Sequence, residues 1–106
     1  MPDVRRYERC KIQMAVASLC QNRLHFDTAL EISEGGMLMK TSQAYKVGDL
    51  IDLSFVLPKG ECVTARGEVC YTLEPTRGWY AAGIRFLFAS PYAPLAIRDY
   101  VNNLRN

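Results

Sequence analysis

Hydrophobic and polar residues alternate along most of this chain, and turn residues interrupt the alternation at short intervals. Ile12, Met14, Val16 and Ser18 recur with a period of two, so residues 12–18 read as a strand. Leu24, Phe26, Thr28, Leu30 and Ile32 form a second run, with His25, Asp27 and Glu31 on its other face. Residues 24–32 are therefore the expected hairpin partner, and Leu19 to Arg23 the tight connection. Gly35-Gly36 marks the next turn, since glycine tolerates positive φ. Met37 to Lys40 reads as a short strand, and Lys46-Val47-Gly48-Asp49 as a turn. Ile51, Leu53, Phe55 and Leu57 alternate with polar Asp52 and Ser54 until Pro58-Lys59-Gly60. Val63, Ala65, Gly67, Val69, Tyr71 and Leu73 give the longest clean alternation. A hairpin loop at Glu74 to Gly78 leads to a return strand, Trp79 to Phe88. Gly67 and Gly83, inside strands, are expected at bulges or bends of a closing barrel.

The period then changes. Ser90-Pro91 has the form of an N-cap and first helical residue. Ile97, Tyr100, Val101 and Leu104 fall on one helical face, which predicts a helix over about 91–105, with Pro94 in its first turn or at its start. The fold class is all-β with one terminal helix: a small antiparallel six-stranded β-barrel plus a C-terminal α-helix. Residues 10–106 form that domain, and residues 1–9 read as a flexible arginine-rich arm before it.

Composition narrows the function classes. A chain of 106 residues is one domain, and 49% hydrophobic content is ordinary for a globular one. The net charge of +2 is too small for a bulk nucleic-acid binder. Its placement is more informative. Arg5, Arg6, Arg9 and Lys11 stand against only Asp3 and Glu8, so the excess lies in residues 1–11 and the rest of the chain balances. No apolar run is long enough to span a membrane, and the polar start lacks a secretory core, so a cytoplasmic location is expected. Cys10, Cys20, Cys62 and Cys70 include no Cys-x-x-Cys, and His25 is the one histidine. That spacing points away from zinc, and Cys10, Cys20 and Cys70, in or beside the strands, are expected to be reduced and partly buried. With one histidine and no nucleophile elbow, no catalytic arrangement assembles, and no enzyme is expected.

The hairpin register brings two remote pieces together. Its centre near residue 21 places Arg9 opposite Ile32 or Ser33. Arg5, Arg6 and Arg9 then share one sheet end with Glu31, Ser33 and Gly36. Guanidinium forks bond phosphate oxygens or the O6 and N7 edge of guanine, and their flat faces stack on bases. A hydroxyl at Ser33 adds a donor and acceptor, Gly36 permits close approach, and a carboxylate at position 31 can accept from guanine N1–H and N2–H₂. The set fits an anion with flat, acceptor-rich faces, that is, a nucleotide.

Arg5-Arg6-Tyr7-Glu8-Arg9, followed by Glu31-Ile32-Ser33-Glu34-Gly35-Gly36, resembles the Arg-x-x-x-Arg and Asp/Asn-x-Ser-x-x-Gly signature of PilZ domains. Gly83-Ile84-Arg85-Phe86 is similar to that family's Gly-x-Arg-Phe ending. The resemblance covers nearly the whole chain. It implies a bacterial receptor for the second messenger cyclic di-GMP, bound by Arg5, Arg6, Arg9, Glu31, Ser33 and Gly36, with no further cofactor. Binding would order the arm and present an altered surface to an unidentified protein partner. Glu31 departs from the family's Asp or Asn: it keeps the charge but adds a methylene and a rotor. Two outcomes stay open, a retained contact through local adjustment or a displaced one at about 1–3 kcal/mol. The departure also favours a second reading, a PilZ-like adaptor that works by protein contact without nucleotide. A third, a small RNA-binding barrel, lacks a basic stripe with interleaved aromatics.

Overall fold

In the computed structural model the described residues are 10–74 and 78–105. They form six strands and one helix: β1 (Cys10–Cys20), β2 (Arg23–Ser33), β3 (Gly36–Thr41), β4 (Leu50–Val56), β5 (Cys62–Leu73), β6 (Tyr80–Ala89) and α1 (Ala93–Arg105). The strands close into an antiparallel barrel in the order β1-β2-β3-β6-β5-β4, with β4 returning to pair with β1. The closing seam is short, with Ala17, Ser18 and Leu19 of β1 paired to Ser54, Leu53 and Asp52 of β4. The β1–β2 turn consists of Gln21 and Asn22 alone, at φ of 51° and 62°. Both central residues are left-handed, the hairpin geometry that matches the natural strand twist.

The interior holds the predicted alternating residues of β4 and β5. Ile51, Leu53, Phe55 and Leu57 are buried, as are Val63, Ala65 and Val69. Ile32, Met37, Met39, Ala82 and Ile84 complete the wall, and Ala93, Ile97 and Val101 of α1 join the same core. The helix lies against β2 and β1.

Three expectations need correction. Leu24 and Phe26 do not face inward: they are 59% and 78% exposed, while Asp27 and Ala29 are buried. A bulge between Ala29 and Glu31 shifts the phase, so Ile32 turns inward after all. One extra residue exchanges the two faces of a strand, and plain alternation cannot display that. The helix begins at Ala93, after a turn in which the Ala93 amide donates to the Ser90 carbonyl. Ser90 does not cap it; its hydroxyl instead accepts from the Thr64 amide at 3.2 Å. Leu104 and Cys70 are exposed rather than packed inside.

The strand glycines meet their expectation in two different ways. The β5–β6 register shifts between Arg66 and Gly67 and again between Val69 and Tyr71. At Gly83 the cause is space: a β-carbon there would lie 2.2 Å from the Tyr71 ring.

Candidate functional site

The β2–β3 hairpin turns through Glu34 and Gly35, with Ser33 paired to Gly36. Serine suits the position because its short hydroxyl reaches nearby backbone. Ser33 Oγ accepts from the Gly35 amide at 3.2 Å and points its own donor at the Gly36 carbonyl, 3.5 Å away. Ser33 is 6% exposed, so the hydroxyl first of all holds the turn in shape. One acceptor lone pair remains for another partner.

Glycine at 35 and 36 does not serve a left-handed backbone. The glycines with positive φ are Gly48, Gly60 and Gly78. At Gly36 the requirement is closeness: a β-carbon would stand 2.0 Å from the Ile84 carbonyl oxygen. The Gly35 carbonyl in turn accepts from the Phe86 amide at 2.9 Å. The turn is thus bound to β6 as well as to its own strands.

It is also bound to the helix. Arg98 of α1 grips Glu34 in a two-bond fork, Nε to Oε1 at 2.6 Å and Nη2 to Oε2 at 3.2 Å. Glu34, which follows the motif's serine, therefore anchors the C-terminal helix. Sequence reasoning had no signal for this pair, whose members stand 64 residues apart.

Cys10 pairs with Ile32, and Lys11 with Glu31. The hairpin thus brings the amino-terminal end of β1 to the motif, as the register argument predicts. Arg5, Arg6 and Arg9 lie outside the described residues, so their half of the constellation rests on that register. Glu31 stands between Lys11 on β1 and Leu38 on β3. Its neighbour Ile32 is fully buried, which turns Glu31 to the outer face.

Two basic residues near the turn were not singled out. Lys11 faces Glu31 across the ladder, and Arg85 faces Gly36. Arg85 lay within the quoted Gly-x-Arg-Phe ending, so a signal for it existed. Glu68 holds Arg85 through Nη2 at 2.6 Å and pushes the guanidinium still further above its ordinary value. A separate open groove, lined by Asp52, Thr64, Arg66 and Phe88, lies on the β6–β5–β4 side. Its Arg66 forks onto Asp52 at 2.9 and 3.2 Å, and that bonding holds the Asp52 carboxyl below its usual range.

The PilZ domain family pattern matches residues 3–103. No curated protein matches the chain. Among solved structures, the Bacillus subtilis inhibitor of motility MotI/DgrA superposes with a TM-score of 0.85 at 14% identity, covering 94% of this chain and 50% of that one. MrkH, a c-di-GMP-dependent transcription regulatory factor, gives 0.76 at 16% identity, with 94% and 50% covered. The PilZ domain of CeSA from a cellulose-synthesizing bacterium gives 0.66 at 14% identity, with 93% and 99% covered. The chain thus spans about half the length of MotI/DgrA and MrkH, and the whole of the isolated CeSA domain.

Proposed function

The chain belongs to the PilZ domain family, and from that premise we propose that it is a cyclic di-GMP receptor, a binding module rather than an enzyme, that passes the signal to a protein partner. The observation that carries the reading is the Ser33–Gly36 turn, preshaped by its own hydroxyl at the sheet end where β1 begins. The arginines of the arm precede Cys10 directly in the chain. MrkH, a c-di-GMP-dependent factor with the same fold, supports the choice of ligand.

The division of labour follows from the chemistry of each group. Arg5 and Arg9, with Arg6 between them, supply planar forks for phosphate oxygens and the guanine O6/N7 edge. Ser33 and the turn backbone set the distance of closest approach. Glu31 accepts from guanine N1–H and N2–H₂. Ordering residues 1–9 over the barrel costs conformational entropy, and the charge-assisted bonds offset it. The ordered arm is the changed surface that a partner reads. Because the attraction is largely ionic, affinity falls as salt rises.

Calorimetric titration of cyclic di-GMP against GTP, cyclic di-AMP and single-stranded RNA tests the reading. Micromolar or tighter binding of cyclic di-GMP, with the others much weaker, is the expected result. No heat and no competition up to millimolar cyclic di-GMP would sink it. That outcome would favour the adaptor that works without nucleotide, the reading to which Glu31 in place of Asp or Asn lends weight.

A further inference from the structure

One outer face of the barrel is apolar, and the site described above does not use it. The ladders set Leu24, Leu19, Asp52, Arg66 and Phe88 side by side across β2, β1, β4, β5 and β6. A second row lies two residues along the same strands: Phe26, Ala17, Ser54 and Thr64, with Ser90 bonded to Thr64 at its end. Ser18, Leu53 and Ala65, which stand between the rows on β1, β4 and β5, are buried. Alternation therefore turns both rows outward.

The apolar part of this face is large. Leu19 is 40% exposed and Phe88 71% exposed. With Leu24, Phe26 and Val56 they leave about 600 Å² of apolar residue surface in water, the upper end for the largest patch on an ordinary monomer. One side of a standard protein interface buries about 800 Å², a little more than half of it apolar. The face carries enough apolar surface for one such side.

The order of residues selects the partner. A line between β4 and β5 divides the first row into Asp52 then Leu19 on one side, and Arg66 then Phe88 on the other. A two-fold axis along that line sets the face against its own copy, acid to base and apolar to apolar. Asp52 meets Arg66 of the second copy, and Leu19 meets Phe88. Leu19 thereby enters the open groove between Arg66 and Phe88, where Ser54 and Thr64 make a shallow floor. In the second row Ser54 meets Thr64 and Ala17 meets Ser90, small side chains that let two sheets approach. The Arg66 fork uses Nε and Nη2 on its own Asp52, and Nη1 has no bond among the described residues. Guanidinium carries donors enough for a second carboxylate. An unrelated partner would need these charges and apolar groups in reversed order, and this chain already carries them.

We propose that this face, centred on the Asp52–Arg66 fork, is the surface through which two copies of the chain pair about a two-fold axis, with Leu19 of each seated against Phe88 of the other. Such an isologous interface makes every contact twice. It also gives Leu24, exposed by the phase of β2, an apolar neighbour in Phe88 of the second copy. Two convex barrels meet over a limited area, so the pair should dissociate with a constant of about 1–100 μM. The pairing needs no nucleotide and stands apart from the receptor reading.

Sedimentation equilibrium of the intact chain tests the pairing, under reducing conditions that keep the exposed Cys62 and Cys70 from linking copies. The parent should pass from monomer to dimer mass as concentration rises through the micromolar range. Phe88→Asp should weaken the dimer at least about tenfold, as loss of an interface anchor does. Asp52→Arg and Arg66→Asp should each do the same, because like charges then face each other across the axis. Mixed in equal amounts, those two variants should recover the dimer mass, since each supplies the charges the other lacks. The double variant Asp52→Arg/Arg66→Asp, which keeps a fork within each copy, should pair with itself about as well as the parent. A parent that stays monomeric up to about 1 mM, far above that range, overturns the proposal. So does a dimer that survives Phe88→Asp and both charge variants, or a mixture of the two charge variants that recovers nothing.

Discussion

Gly36 has no room for a side chain, and the obstacle is backbone. The Ile84 carbonyl oxygen lies 2.0 Å from where a β-carbon would sit, so β3 and β6 must part to admit even alanine. Gly36→Ala should cost about 1–3 kcal/mol, the usual range for overpacking. Thermal unfolding should register this as a drop of about 4–20 °C. The glycine was legible in the sequence as part of the motif. Its reason was not, because contact with Ile84 exists only once β6 has returned beside β3. Glu31 shows the converse. Its outward face is the one the alternation assigns, and the bulge after Ala29 restores that phase for Glu31 and Ile32. Glu31→Asp should hold or raise affinity for cyclic di-GMP. Glu31→Ala should lower it by about 1–3 kcal/mol, as for a polar partner left unmet. Calorimetry on the two variants decides. Tighter binding by Glu31→Ala would make this carboxylate a competitor of the ligand.

Between elements, the Arg98–Glu34 fork ties α1 to the turn at the end of β2. Arg98 is about half exposed, so screening holds the global contribution of the pair to about 0–1 kcal/mol. Its local effect should be larger. Arg98→Ala should leave the melting temperature nearly unchanged while amide exchange in the described turns of α1 speeds up, since helix ends open before the barrel does. Equal exchange rates in the two proteins would mean that the fork adds nothing to the hold that Ala93, Ile97 and Val101 have on the core. The helix itself was legible from its period, as were the turns around Pro58 and Gly60. The phase of β2 was not. Leu24 and Phe26 look like core residues in any alternation count, and only the bulge after Ala29 explains their exposure.

Across the whole barrel, the end away from the motif is closed by polar groups. Asp27, Thr41 and Ser18 are buried there, and Tyr45 of the 42–49 connection packs against the core. Neither the Tyr45 hydroxyl nor Asp27 Oδ2 has a well-formed hydrogen bond among the described residues. Burial, then the nearby Asp27 carboxylate, pushes the Tyr45 phenol well above its ordinary value of 10.0. A raised value means that the unfolded chain ionises first. The associated stability is complete below about pH 10 and fades as pH climbs from there toward the folded value. Cys20 acts with the same sign from a lower onset, its thiol raised mainly by burial. Denaturant unfolding between about pH 8 and pH 11 should therefore show stability falling with pH. Tyr45→Phe, with Cys20 intact, should flatten the upper part of that fall. An unchanged slope would remove Tyr45 from the account.

Alternation, turn residues and one change of period were enough to determine the class of this protein: six strands, a final helix, and a hairpin that brings the start of β1 to the end of β2. These are local or nearest-neighbour properties, and period-two patterning carries them directly. The motif was legible for the same reason: one half directly precedes β1 in the chain, and the other ends β2, its hairpin partner. Tertiary structure decided what depends on non-neighbouring strands. It set the closeness of Gly36 to Ile84, the place of Arg85 opposite Gly36, and the grip of Arg98 on Glu34. The first two wait for β6 to return beside β3, and the third for α1 to pack on the barrel. A bulge of one residue then decides which side chains look outward, and no count along the chain records where the partner strand will force it.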